Sequence, residues 1–156
     1  MTRNDGTRLQ NLLQRALEAF QESTPSFCQR FADTRSARSF LQVQPGDFLW
    51  LLPGLPAVLI EAKSTEIGAS LVSLMTSAQC GKHRLWHRAR HHSGFVYAYF
   101  SRDLMEWHDG VQALTHKSTA IWAGDVSEAY KMLSYMRDFY HTQTEVAETP
   151  EPPKGT

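Results

Sequence analysis

Apolar residues return every three or four positions near the start of the chain, at Leu9, Leu12, Leu13, Ala16, Leu17 and Phe20. This spacing predicts an amphipathic helix over Thr7 to Glu22, ended by the Ser-Thr-Pro that follows. Residues 23 to 46 carry Ser, Arg and Gln with few apolar anchors, the pattern of a surface loop or a short irregular strand. The pattern then changes. Phe48 to Leu52 and Ala57 to Ala62 are apolar runs joined by Pro-Gly-Leu-Pro, which predicts a hairpin of two strands buried on both faces. From Leu71 the apolar positions Leu74, Met75, Ala78, Leu85 and Ala89 fall on one side of a helix, interrupted at Gly81 and Lys82, so a kink near Gly81 is expected. Gly94 to Phe100 predicts a third strand, Leu-Met-Glu-Trp-His-Asp-Gly a short fourth ending in a turn, and Ser118 to Gly124 a fifth. Asp125 then stands as a cap before Ala129, Met132, Leu133, Met136 and Tyr140, the stripe of a last helix.

The order of these elements predicts an α/β fold, a sandwich with a central mixed sheet flanked by helices. With 156 residues the default is one domain, here residues 1 to 141, and the polar, acidic, Pro-rich stretch 142 to 156 is expected to be disordered. The longest apolar run, Phe48 to Ile60, is broken by Pro53, Gly54 and Pro56 and falls well short of the roughly 18 residues of a membrane span. The first twenty residues are polar and mix both signs of charge, unlike a secretion signal, so a cytoplasmic location is expected. Cys28 and Cys80 form no CxxC unit and are expected as thiols there.

Net charge is zero, but its distribution is uneven. Between Ser23 and Arg102 nine Lys and Arg stand against four acids, a net +5, while most compensating acids follow from Asp103 onward. A basic centre permits a polyanionic ligand at neutral overall charge.

Chemistry concentrates at the two ends of the predicted hairpin. Glu61 and Lys63, two apart on a strand, project to the same side while Ala62 points to the other. Antiparallel pairing across the turn brings Asp47 close to both. Two carboxylates held together repel, a divalent cation relieves that repulsion, and Mg²⁺ prefers oxygen ligands. A lysine beside them can orient or deprotonate a water and stabilise charge developing on a phosphate. The arrangement suits metal-assisted phosphodiester hydrolysis; charged strand ends of no chemical role are the competing reading.

The stretch QPGDFLWLLPGLPAVLIEAKST resembles motifs II and III of the PD-(D/E)xK nuclease superfamily, with Gly46-Asp47 where the family has Pro-Asp and Glu61-Ala62-Lys63 as the E-x-K. Upstream QRFADTRSAR and the segment from Leu71 to Phe100 resemble the RecU-type Holliday junction resolvases, also called penicillin-binding protein-related factor A. The resemblance covers roughly Gln29 to Phe100. It implies a restriction-endonuclease-like sandwich and a metal-dependent DNA endonuclease, with resolution of four-way junctions by paired symmetric cuts as the leading activity. Another nicking or restriction-type enzyme of the superfamily, or a DNA-binding or assembly factor with a vestigial hairpin, stands as the alternative. By the same resemblance Asp47, Glu61 and the Ala62 carbonyl are expected metal ligands, Lys63 the catalytic lysine and Gln79 a helix residue beside the site. The cofactor is expected to be Mg²⁺, with Mn²⁺ able to substitute. The partner is expected to be branched or duplex DNA, without a membrane, and two cuts imply a homodimer. The origin expected is bacterial or phage. This sequence departs from the family at Gly46, at Ala78 where a His precedes the helix Gln, and at Gly81.

Gly81 to Ser93 holds four Lys/Arg and four His, and no acid lies between Glu66 and Asp103. Lys82, Arg84 and Arg88 are candidate phosphate contacts, with a solvated helix face as the plainer reading. Arg30, Arg35 and Arg38 form a second basic set that suits a DNA-gripping arm, loop solubility being the alternative. His83, His87 and His91 recur at i, i+4, i+8, but no Cys or carboxylate nearby completes a zinc set. Glu18 or Glu22 could add a metal ligand from the first helix, and Trp50 and Trp86 suit a core or interface.

Overall fold

The computed structural model describes residues 5–31, 46–110 and 120–148. Helix α1 spans Asp5–Ser23, followed by strands β1 (Phe27–Arg30), β2 (Phe48–Leu51) and β3 (Val58–Ser64). Two helices, α2 (Leu71–Leu74) and α3 (Ser77–Arg88), lead into β4 (His92–Tyr99), a single 3-10 turn, β5 (Leu104–Asp109), β6 (Ile121–Trp122) and α4 (Val126–Glu148). The six strands form one sheet in sequence order. All neighbours run antiparallel except β3 and β4, which are parallel because α2 and α3 carry the chain back across the sheet. This is the mixed, helix-flanked α/β sandwich expected from the sequence.

The alternation along β3 divides the molecule into two layers. Val58 and Ile60 join the large core built by α1 and α4, where Leu9, Leu13, Ala16, Leu17, Phe20, Met132 and Tyr140 are fully buried. Glu61 aligns with Phe95 and Lys63 with Tyr97 on β4, and these aromatic rings pack in the smaller cluster of the opposite face, with Leu71. Glu61 and Lys63 therefore stand on the face covered by α2 and α3, one residue out of phase with the main core.

Several expectations are corrected. The segment after α1 contains a regular strand, β1, paired in register with β2 from Phe27 opposite Leu51 to Arg30 opposite Phe48. Its four residues alternate exposed and half-buried, so no apolar run announced it. For the same reason β2 is not buried on both faces: Phe48 and Trp50 point inward, while Leu51 is exposed. The helical stretch from Leu71 breaks at Met75 and Thr76 rather than at Gly81, because Thr76 caps a new helix. Gly81 lies unbroken inside α3. The last helix continues through residues 142–148, so the stretch expected to be disordered from 142 begins as helix; Thr142 and Thr144 bond back to the carbonyls of Asp138 and Tyr140, four residues earlier. Residues 149–156 lie outside the described part. No helix among the described residues is long and apolar enough to cross a membrane.

Candidate active site

Asp47 sits where the chain enters β2, fixed by its backbone on both sides. Its N–H donates to the Ile60 carbonyl at 2.9 Å and its carbonyl accepts from Phe31 N–H at 2.9 Å. The side chain is held as well: Oδ2 accepts from the Ala62 N–H at 2.7 Å, and Oδ1 accepts from the Gln10 amide of α1 at 3.2 Å. Within an extended strand the N–H and C=O of one residue face the same neighbour, so the Ala62 carbonyl lies on the Asp47 edge of β3. The preceding glycine answers to this crowding. A Cβ at Gly46 would lie 2.8 Å from Leu59 Cδ1 and 3.2 Å from the Ile60 carbonyl, so the close approach of this segment to β3 favours glycine.

Glu61, only 6% exposed, is held from the other side of β3. Gln79 Nε2 donates to Glu61 Oε1 at 2.6 Å, and Lys63 Nζ lies 3.9 Å from the same oxygen. Gln79 is itself fixed by local helix chemistry. Thr76 caps α3 by accepting from Gln79 N–H at 3.1 Å, and Gln79 Oε1 accepts in return from the Thr76 N–H at 3.1 Å. With its oxygen committed to this capping box, the amide nitrogen is left to face Glu61.

The electrostatics of the cluster are unbalanced. Burial pushes the Glu61 carboxyl up to about 8 and the neighbouring Asp47 charge adds to the rise, while Lys63 and then Lys82 pull it down. Lys82, expected among phosphate contacts, thus lies within electrostatic reach of the carboxylates, half-buried one turn beyond Gln79. Asp47, Glu61, Lys63 and Gln79 are brought together as the sequence suggested. A buried carboxylate beside a half-buried one, with a backbone carbonyl on the same edge, suits a hard cation such as Mg²⁺ that keeps several of its waters. Among the described residues no group of three His, Cys, Asp or Glu side chains assembles.

The remaining candidates separate. Arg84 and Arg88 are exposed on α3. Arg30 does not reach into solvent as an arm: its guanidinium donates to Asn11 Oδ1 and Gln14 Oε1 at 2.8 Å each and to Gln10 Oε1 at 2.9 Å. Arg35 and Arg38 lie outside the described residues. Glu18 and Glu22 are exposed on α1, Glu18 bonded to Gln14, and the α1 residue that meets Asp47 is Gln10. Sequence reasoning missed Gln10 because a lone glutamine on a helix carries no motif. The histidines do not converge either. His83 is buried against Phe95, ring centroids 4.2 Å apart, and burial lowers it to about 4, whereas His91 Nδ1 accepts from Ala57 N–H. Trp50 is a core residue, and Trp86 is tied by its indole N–H to the His92 carbonyl.

Comparison with known proteins gives little beyond this geometry. No protein-family model matches the chain, and no curated protein does. Among solved structures, Hjc of Archaeoglobus fulgidus, a Holliday junction resolvase from an archaeal hyperthermophile, superposes with a TM-score of 0.45 at 12% identity, covering 78% of this chain and 91% of that one. At that distance the likeness carries no functional weight.

Proposed function

We propose that the chain is a metal-dependent DNA endonuclease of the PD-(D/E)xK type, acting on branched DNA. The observation that carries this reading is the convergence of Asp47, Glu61 and Lys63 around one end of β3, with Glu61 buried beside a second carboxylate and its proton held up to about 8. Burying a carboxylate beside another is costly without a counter-charge, and catalytic centres are where such conflicts concentrate. Asp47, Glu61 and the Ala62 carbonyl would hold Mg²⁺, which supplies Lewis-acid activation of the phosphate and of a water when bound. Lys63 places a cation at the same oxygen of Glu61, where it can orient the attacking water and stabilise negative charge on the phosphate. Gln79 keeps the Glu61 carboxylate in one orientation.

The resemblance of the hairpin and its following basic helix to the RecU-type resolvases supports four-way junctions as the substrate, cut by two copies of the chain acting symmetrically. Arg84 and Arg88, exposed on the helix that begins at Gln79's turn, supply phosphate contacts. The test is incubation with end-labelled four-way junction and linear duplex, with Mg²⁺, Mn²⁺ or chelator. Metal-dependent paired nicks at symmetric positions on the junction support resolution. Equal cutting of linear duplex shifts the activity to a general endonuclease, and junction binding without cleavage in either metal contradicts the nuclease reading.

A further inference from the structure

We propose that Arg30 and Gln10 are positioning residues for Asp47, forming a relay from β1 through α1 to the carboxylate; its catalytic meaning rests on the nuclease reading above. The guanidinium of Arg30 has only donors, and three side-chain oxygens of α1 receive them: Asn11 Oδ1, Gln14 Oε1 and Gln10 Oε1. Because Gln10 spends its oxygen on Arg30, its amide must present nitrogen on the other side, and that nitrogen donates to Asp47 Oδ1 at 3.2 Å. The other carboxylate oxygen is tied to Ala62 N–H at 2.7 Å. Asp47 is thus held at both oxygens, one by the backbone of β3 and one by a side chain whose polarity an arginine dictates.

The placement of the relay is equally constrained. Gln10, Asn11 and Gln14 fall at i, i+1 and i+4 on α1, so one guanidinium can span them only with the fork geometry of arginine. Arg30 is the last residue of β1, and the next residue, Phe31, donates its N–H to the Asp47 carbonyl. The same two-residue corner therefore fixes the Asp47 backbone directly and its side chain through Gln10. A basic residue read from the sequence as a DNA contact is a support for a carboxylate, and partners of this kind typically change metal affinity by 10- to 100-fold when removed.

The test compares Gln10→Met, which keeps side-chain volume and helix preference but removes both ends of the bridge, with Arg30→Lys, which keeps the charge but not the fork. The full chain is used throughout, and Mn²⁺ affinity without DNA, junction affinity without metal and Tm are measured. Both variants are expected to lose at least tenfold in Mn²⁺ affinity while metal-free junction affinity stays within twofold. If Arg30→Lys keeps wild-type Mn²⁺ affinity, or if Gln10→Met does so in a folded protein, the relay is overturned. A selective fall in junction affinity for Arg30→Ala with unchanged Mn²⁺ binding would return Arg30 to a phosphate contact. Asp47→Asn is the control on the underlying reading: should it bind Mn²⁺ as tightly as the natural chain, the metal site fails on its own account. The relay is then decided by the Asp47 carboxyl ¹³C shift, which moves in both relay variants if they set the carboxylate and stays in place if they do not.

Discussion

Gln79 donates a 2.6 Å hydrogen bond to Glu61 with the same amide whose oxygen closes the capping box of α3. A helix start and a candidate catalytic carboxylate are thereby locked to one another, and the two roles can be separated by substitution. Gln79→Glu retains an acceptor for the Thr76 N–H, since glutamate serves equally at the third position of a capping box, but it replaces the donor to Glu61 with a third carboxylate. We expect Gln79→Glu to lose cleavage by at least tenfold with α3 intact by circular dichroism. Gln79→Ala should lose cleavage and also about 1 kcal/mol of stability from the weakened cap. Equal cleavage by the Glu variant and the natural chain would remove Gln79 from the site.

The Glu61 proton predicts a pH dependence of stability. Its carboxyl has an ordinary value of 4.5 and is raised to about 8 in the folded chain, so between these the native state holds the extra proton. The stability contributed by this group is full at low pH and is lost as pH rises toward 8. His83 acts in the opposite sense, being lowered from 6.5 to about 4, so its contribution grows with pH and is complete by about 6.5. From pH 6.5 to 8.5, in chelator, Tm is therefore expected to fall, and Glu61→Gln is expected to flatten the fall. Divalent-cation affinity should rise through the same window, because the ligand is the ionised carboxylate. A Tm that is flat in the natural chain, or that falls equally in Glu61→Gln, would contradict the assignment.

The basic residues of α3 divide into two kinds. Arg84 and Arg88 are exposed, whereas Lys82 is half-buried and acts on Glu61. Arg84→Ala and Arg88→Ala are each expected to reduce the slope of log affinity against log salt by about one, leaving the cleavage rate at saturating DNA unchanged. Lys82→Ala is expected to shift the cleavage pH profile upward, since it removes a charge that favours ionised Glu61. Three equal effects on the salt slope, with no shift in pH profile, would place Lys82 back among plain phosphate contacts.

Residues with a short-range signature were legible in the sequence and those without one were not. The Asp47, Glu61, Lys63 convergence followed from strand alternation and a hairpin, both set within seventeen consecutive residues. The apolar stripes of α1 and α4 likewise gave the core layer. Hidden from the sequence was whatever depends on contacts across layers. β1 exists because its backbone pairs with β2, not because Phe-Cys-Gln-Arg alternates clearly. The partners of Arg30 were hidden because only the structure brings Asn11, Gln14 and Gln10 to its guanidinium, from sixteen to twenty residues away in the chain. The break at Thr76 was available from its Thr-x-x-Gln capping box but was outweighed by Gly81, whose flexibility the helix tolerates. Of the i, i+4, i+8 histidines only His83 and His87 lie on α3; His83 turns into the sheet and His91 lies beyond the helix end.

The central claim is that Asp47, Glu61 and Lys63 hold and use a divalent cation. It is tested most directly by Mg²⁺-dependent cleavage of a labelled four-way junction by the natural chain and by folded Glu61→Gln, compared with metal-free junction affinity on the same samples. On this account, replacing the buried Glu61 carboxyl by its isosteric amide would remove a metal ligand without opening a cavity. The account predicts that Glu61→Gln keeps or raises Tm, holds or tightens metal-free binding, and loses cleavage by orders of magnitude, in line with the several kcal/mol a metal ion contributes to the transition state. Cleavage that persists at the natural rate in folded Glu61→Gln would contradict it.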